Sequence, residues 1–233
     1  MNKEEFIEKC QKININLDEE KLRKLDEYYQ LLISENKKYN LTSITEEKDV
    51  YLKHFYDSLC IIKGIDINNK YICDIGTGAG FPGMVLKIIF PEIKIDLLDS
   101  TLKKCQFLEL VINKLNLKDI NVINARAEEY SKTVREKYDI VTSRAVAPLK
   151  HLLEYSVPLL KINGYFVALK SHLSEEIKGI EKYYSKLHLK NENIIEFKLP
   201  KENSVRTIYI AEKIAKTPEI YPRTYSQIKK KEI

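Results

Sequence analysis

Tryptophan is absent from the 233-residue chain, and there are only two methionines, four histidines and four cysteines. The cysteines (Cys10, Cys60, Cys73 and Cys105) show no CxxC or other metal-ligand spacing. With only His54, His151, His172 and His188 to complement them, zinc-site and disulfide-framework readings both fail, and buried free thiols are expected. No apolar run approaches the ~18–20 residues needed to span a bilayer. The opening MNKEEFIEKC is polar and acidic, unlike a secretory signal, so a cytoplasmic location is expected. Neither sign of charge dominates: 39 basic and 34 acidic residues leave +5. That balance suits a polyanionic partner. It equally suits a general taste for Lys, Ile and Asn, visible in KININL and NENIIEFK.

Hydrophobic residues make up 44% of the chain and charged residues 31%, the mixture of a soluble globular protein. A prior of ~150 residues per domain implies one domain, or one domain with an appendage. Residues 1–63 read as a helical extension, with Leu22, Leu25, Tyr28 or Tyr29, Leu32 and Ile33 at helical spacing and a second helix over 46–62. Residues 64–213 alternate short apolar runs with amphipathic stretches. Strands are expected at 71–75, 94–98, 121–124, 139–142, 164–169, 194–199 and 206–211, with helices at 82–90, 102–115 and 149–160. Strand and helix in alternation mean a parallel sheet covered on both faces. The last two strands are joined by a turn alone, so one edge should be antiparallel. Residues 214–233, with two prolines and a KKK run, read as a C-terminal tail.

The chemistry is concentrated in YICDIGTGAGFPG. A strand ends at Asp74-Ile75, Gly76, Gly78 and Gly80 follow, and a helix begins near Pro82. Glycine admits positive φ and lets backbone approach a ligand. Ligands of open parallel sheets sit at the carboxyl ends of the strands. A dinucleotide fingerprint needs glycine where Phe81 stands, and a Walker loop needs GK[ST]. A bulky Phe in the phosphate position favours a ligand without phosphate there. S-adenosylmethionine fits, as a nucleoside joined to a sulfonium and a zwitterionic amino acid. Asp99 lies 19 residues beyond Gly80, at the end of the next strand. An acid at that distance grips ribose hydroxyls; the alternative is a helix cap for the segment that follows. In NARAEEY, Ala127 and Glu128 fall where the adenine edge would lie, although Glu128 also suits a solvated first helical turn.

With these features, the chain resembles the bacterial small-subunit ribosomal RNA guanine-N7 methyltransferases, also called glucose-inhibited division protein B. The resemblance rests on NLTSI (41–45), HFYDSL (54–59), DIGTGAGFPG (74–83), LLDSTLKKCQFL (97–108), ARAEEY (125–130), TSRAVAPL (142–149) and YFVALK (165–170). It implies a class I methyltransferase fold, Rossmann-like, with a mostly parallel seven-stranded sheet. It also implies S-adenosylmethionine as cofactor and 16S rRNA, or a small-subunit particle, as partner. Neither metal nor membrane is expected, and the chain is expected to act as a monomer. The family's cofactor positions carry over to Gly76, Phe81, Ala127, Glu128 and Arg144; the loop and ribose arguments add Asp74, Gly78, Gly80 and Asp99. After Tyr221-Pro222-Arg223 the chain departs from the family's Lys-, Pro- and Gly-rich ending.

Guanine N7 has a free lone pair at neutral pH and needs no general base, so no catalytic base is assigned and catalysis is expected to rest on positioning. Arg144 could orient or stack on the base, or form only a surface salt bridge. Lys170 and Arg206 are further candidates for RNA contact. Two rival readings stay open: a methyltransferase for a small molecule or protein, and a catalytically silent binding module on the same fold.

Overall fold

The structure, a computed structural model, describes residues 1–171 and 173–233; His172 lies outside the described residues. Two helices open the chain, α1 (Lys3–Gln11) and α2 (Glu19–Tyr39). Asp18 caps α2 by accepting from the Lys21 N–H at 2.8 Å, and Asn40 ends it in the left-handed conformation. Leu25, Tyr28 and Leu32 form its buried stripe. A third helical stretch, α3 (residues 47–63), is continuous but irregular. Its centre, Val50–Tyr56, is a π-helix, and its end, Cys60–Lys63, is a 3-10 turn.

Seven strands follow: β1 (Tyr71–Ile75), β2 (Lys94–Asp99), β3 (Ile120–Asn124), β4 (Tyr138–Arg144), β5 (Leu160–Lys170), β6 (Leu189–Lys198) and β7 (Val205–Lys213). They form one sheet in the order β3-β2-β1-β4-β5-β7-β6. β1 to β5 run parallel, and β7 is antiparallel to both β5 and β6. The order reverses between β1 and β4, which opens a crevice at their carboxyl ends. Between the strands lie α4 (Gly83–Ile89), α5 (Leu102–Lys114), α6 (Ala127–Thr133), α7 (Leu149–Ser156) and α8 (Glu181–Leu187). The short α6 and α8 were not expected from the sequence, and β5 begins four residues before its apolar run.

Alternate strand residues serve opposite faces. Ile72, Leu97, Ile140 and Val167 enter one core with α2, α3, α4 and α5. Cys73, Leu98, Val141 and Phe166 enter the other with α7 and α8. The N-terminal helices therefore share a core with the sheet. All four cysteines are buried and free.

Residues 214–233, a tail by composition, fold back onto the second face. Arg135 donates to the carbonyls of Thr217 (2.7 Å) and Tyr221 (2.8 Å). Arg223 grips the fully buried Glu154 with Nε at 2.8 Å and a terminal nitrogen at 2.7 Å. Tyr221 and Ile228, hidden among prolines and lysines in the sequence, complete the seat. The segment ends in α9 (Tyr225–Lys230). Removing one partner of such a buried pair strands the other charge, at about 3–5 kcal/mol. Arg223→Leu is therefore expected to lower Tm by at least about 6 °C, at roughly 2–4 °C per kcal/mol for a chain this long. Adding Glu154→Leu should restore much of that loss in a thermal melt; equal melting of Arg223→Leu and the parent chain would refute the anchor.

Candidate functional site

A cavity of about 980 Å³ opens at the carboxyl ends of β1, β2, β4 and β5. Single small-molecule sites span roughly 300–1,000 Å³, so there is room for a cofactor and part of a second reactant. The β1–α4 loop forms its floor. Gly76, Gly78 and Gly80 have φ of +65°, +63° and +103°, which bulky residues avoid. Their reasons differ. A Cβ on Gly76 would lie 2.6 Å from Val146, and one on Gly80 would lie 2.7 Å from the Met84 Cβ, so packing excludes both. A Cβ on Gly78 would meet nothing closer than 3.9 Å and would project into open space. Gly78 thus keeps an open cradle, as a ligand resting on backbone requires.

Two carboxylates hold the loop. Asp74, fully buried under it, accepts from the Thr77 hydroxyl at 2.6 Å and the Gly83 N–H at 2.8 Å, both at Oδ2. Its Oδ1 is buried with no partner among the described residues, and burial pushes the carboxyl up to about 7. Asp99 accepts from the Gly78 N–H at 3.0 Å through Oδ2 and the Thr101 N–H at 2.8 Å through Oδ1. A carboxylate has about four lone-pair positions, so Asp99 ties the loop, supports the start of α5 and keeps acceptor capacity toward the cavity. Asp99 is not the helix cap: the N-cap of α5 is Thr101, no side chain caps that helix, and at its start Asp99 takes only the N–H of Thr101. The Tyr28 hydroxyl, from α2, donates to the Ala79 carbonyl.

The opposite wall comes from α3. The His54 ring stacks on Phe81 at 4.1 Å between centroids, and Arg144 lies over the same phenyl at 5.2 Å. Arg144 donates to the Lys53 carbonyl (2.7 Å), Asp57 Oδ2 (3.1 Å) and His54 Nδ1 (3.1 Å). With Nδ1 accepting, the ring proton sits on Nε2, 2.9 Å from the Thr42 hydroxyl. Burial and the Arg144 charge lower the His54 pKa to about 3, so the ring is neutral near pH 7. Ala145, next along the chain, is held at φ +52°, a strained conformation for a residue with a Cβ.

Gly76, Gly78, Phe81, Asp99, Ala127, Glu128, Arg144, Lys170 and Arg206 all line the cavity. Asp74 and Gly80 lie behind the loop and shape it. Arg144 is neither free nor at the surface: it bridges β4 and α3. Lys170 is held by the Ala147 carbonyl at 2.6 Å and Glu176 at 2.7 Å. Glu128 is buried rather than solvated. His54 and Asp57 escaped sequence reading as site residues, although both lie in the HFYDSL segment. Phe197 and Tyr225 also line the cavity, and no motif marks either of them.

The family model described as rRNA small subunit methyltransferase G matches residues 21–205. The ribosomal RNA small subunit methyltransferase G of Mesoplasma florum is 50% identical over 214 residues, 89% of this chain and 87% of the relative. That of Bacillus subtilis is 46% identical over 227 residues, 96% and 95% of the two chains. Among solved structures, a SAM-dependent methyltransferase from Aquifex aeolicus aligns with a TM-score of 0.56 at 15% identity, over 78% of this chain and 98% of its own. M. jannaschii TYW2 in complex with AdoMet aligns at 0.57 and 16%, over 74% and 80%. At such identity these two likenesses concern the fold, which is that of the SAM-dependent methyltransferases.

The neutral His54 has a measurable consequence. Unfolded, it binds a proton below about pH 6.5; folded, it does not until about pH 3. The His54 contribution to stability is therefore full above pH 6.5 and declines as the pH falls. The raised Asp74 pKa acts in the opposite sense, its contribution being full below pH 3.8 and lost as the pH rises through about 7. The two nearly cancel in the parent chain, so His54→Gln exposes one of them. Between pH 7.5 and 5, the stability difference between parent and variant should move toward the variant by about 2 kcal/mol, read by urea unfolding at each pH. A pH-independent difference would show that His54 titrates normally.

Proposed function

The chain belongs to the rRNA small subunit methyltransferase G family, and on that premise we propose that it methylates N7 of a guanine in 16S ribosomal RNA with S-adenosylmethionine. The observation that carries the reading is the open cradle at Gly78 beside an Asp99 carboxylate with acceptor capacity to spare. A nucleoside with a ribose diol and a cationic sulfonium arm matches those groups. When bound, S-adenosylmethionine supplies an electrophilic methyl carbon on a sulfonium leaving group.

The residues then divide the work. Asp99 accepts the ribose hydroxyls. The backbone of Gly76 and Gly78 lets the ligand lie close, and Ala127 and Glu128 face the adenine edge. Phe81 walls the site off from water and carries Arg144 and His54 on its ring. Asp74 and Gly80 keep the loop in shape. The lone pair of guanine N7 forms the new bond to carbon as the carbon–sulfur bond breaks, and positive charge passes from sulfur to the base. No proton moves in that step, so the protein contributes alignment. Arg144 is fixed by three partners and keeps its N–H groups at the cavity edge, a geometry that a lysine's single ammonium does not reproduce. Arg206 stands at the same rim for RNA contact, while Lys170 there is buried and paired with Glu176. The net charge of +5 favours such a polyanion. Among the described residues no helix is long and apolar enough to cross a membrane. We infer that the protein acts as a cytoplasmic monomer on 16S rRNA, either free or in the small subunit.

Labelled S-adenosylmethionine, offered with small subunits, deproteinised 16S rRNA and small acceptors, tests this directly. Label is expected at a guanine N7 of 16S rRNA; label only on a small acceptor would overturn the substrate. Asparagine tolerates the left-handed conformation, so Gly78→Asn fills the cradle with little backbone strain. Calorimetry should then show cofactor affinity at least ~30-fold weaker, about 2 kcal/mol, with Tm nearly unchanged. Undiminished binding would remove the cradle from the site.

A further inference from the structure

At the cavity rim, one carboxylate serves two arginines. Asp57 is buried on α3. Its Oδ2 lies 3.1 Å from Arg144 and its Oδ1 lies 3.3 Å from Nε of Arg206 on β7. Other charges stand around them, including the buried Asp74 carboxylate, whose ionised form Arg144 favours. Lys53 pairs with Glu202 at 2.7 Å and Asp49 at 3.3 Å, Lys170 pairs with Glu176, and His54 is neutral. Within this triad two guanidiniums face one carboxylate, half-buried and weakly screened. They leave donors. Arg144 spends its contacts on Asp57, His54 and the Lys53 carbonyl through its two terminal nitrogens, so Nε–H has no partner among the described residues. Arg206 uses Nε on Asp57 and one terminal nitrogen on the Val205 carbonyl at 3.0 Å, which leaves the other terminal nitrogen unspent. The shared carboxylate fixes the separation of two planar forks, and paired arginine forks suit a phosphate oxygen pair.

We propose that Asp57 is a positioning residue that holds Arg144 and Arg206 as a phosphodiester-binding pair for the RNA strand entering the cavity. This rests on the RNA-methyltransferase reading. The cofactor's own carboxylate is the other available anion. β7 stands three strand spacings from β1, roughly 14 Å away at ~4.8 Å each. Arg206 is thus far from the strand that carries the glycine loop and on the side of the rim left for a second reactant.

Charge and position predict opposite signs, which makes the test sharp. If Asp57 were only a negative charge near RNA, Asp57→Asn would tighten RNA binding. As a positioning residue, its loss should weaken binding to 16S rRNA or to small subunits at least tenfold. Affinity for S-adenosylmethionine should fall by less than affinity for RNA, because of the two arginines only Arg144 stands among the cofactor positions. Arg206→Gln should weaken RNA binding similarly and flatten the log–log salt dependence by roughly 0.7–0.9. The double variant should bind at least fivefold better than the product of the two single losses predicts, because both act on one pair. Tighter or unchanged RNA binding in Asp57→Asn overturns the proposal. So does a parallel loss of cofactor affinity, which would place the anion on the cofactor, and so does strict additivity with a fall in Tm, which would leave Asp57 a structural role. Should Asp57→Asn fail to fold, Arg206→Gln decides alone: unchanged RNA affinity and salt slope overturn the pair. Parent protein that binds neither RNA probe would instead overturn the functional reading, and this proposal with it.

Discussion

Everything at the site depends on a backbone that is hard to hold: three glycines in the left-handed region within five residues, between β1 and α4. Left to itself such a loop would sample many conformations, because glycine restricts the chain least. Two aspartates restrict it. Asp74 sits underneath and joins Thr77 to the first turn of α4; Asp99 stands beside it and takes the Gly78 N–H. The position of Asp74 comes at a cost, visible in its raised pKa and its unpartnered Oδ1. Gly83 is part of the same arrangement: a Cβ there would fall 2.3 Å from Leu97 and 2.8 Å from Asp74.

The second requirement is a wall facing the loop, and the sheet does not provide it. The N-terminal helices do. They share a core with the sheet, reach the loop through the Tyr28 hydroxyl, and meet β4 through Arg144. The π-helical turn at Val50–Tyr56 shifts the register of α3, and Lys53, His54 and Asp57 all end up at the cavity. Methyl transfer to a ring nitrogen needs dry, fixed surroundings rather than a proton relay. Phe81, His54 and Arg144, stacked and cross-bonded, form a stiff and uncharged-to-cationic surface of that kind.

The strands were legible because a sheet buried on both faces makes each strand a short apolar run, and the longer helices because their 3.6-residue period survives. The glycine loop and Asp99 were legible because their spacing carries its own mechanism. Less could be read where a residue's role depends on distant partners. Gly76, Gly78 and Gly80 look alike in sequence, yet Val146 and Met84 crowd the Cβ positions of two of them and only at Gly78 would a Cβ find open space. Arg144 reads as either a base contact or a salt bridge; it makes a buried salt bridge at the cavity itself, because Asp57 lies 87 residues earlier. Arg223 could not be paired with Glu154 across 69 residues, so the docked end of the chain read as a tail. The π turn leaves no trace in the apolar pattern that marks its helix.

The central claim is that this cavity works by alignment, with no group that must lose a proton. The pH dependence of the single-turnover methylation rate, with cofactor and RNA both saturating, tests it most directly. His54 is already neutral throughout the range, and Asp74 titrates beneath the loop, with both its hydrogen bonds on the oxygen that stays occupied. Between roughly pH 6.5 and 9 the rate should therefore be nearly flat. A rate that climbs tenfold per pH unit across that window would require a general base and would contradict the account.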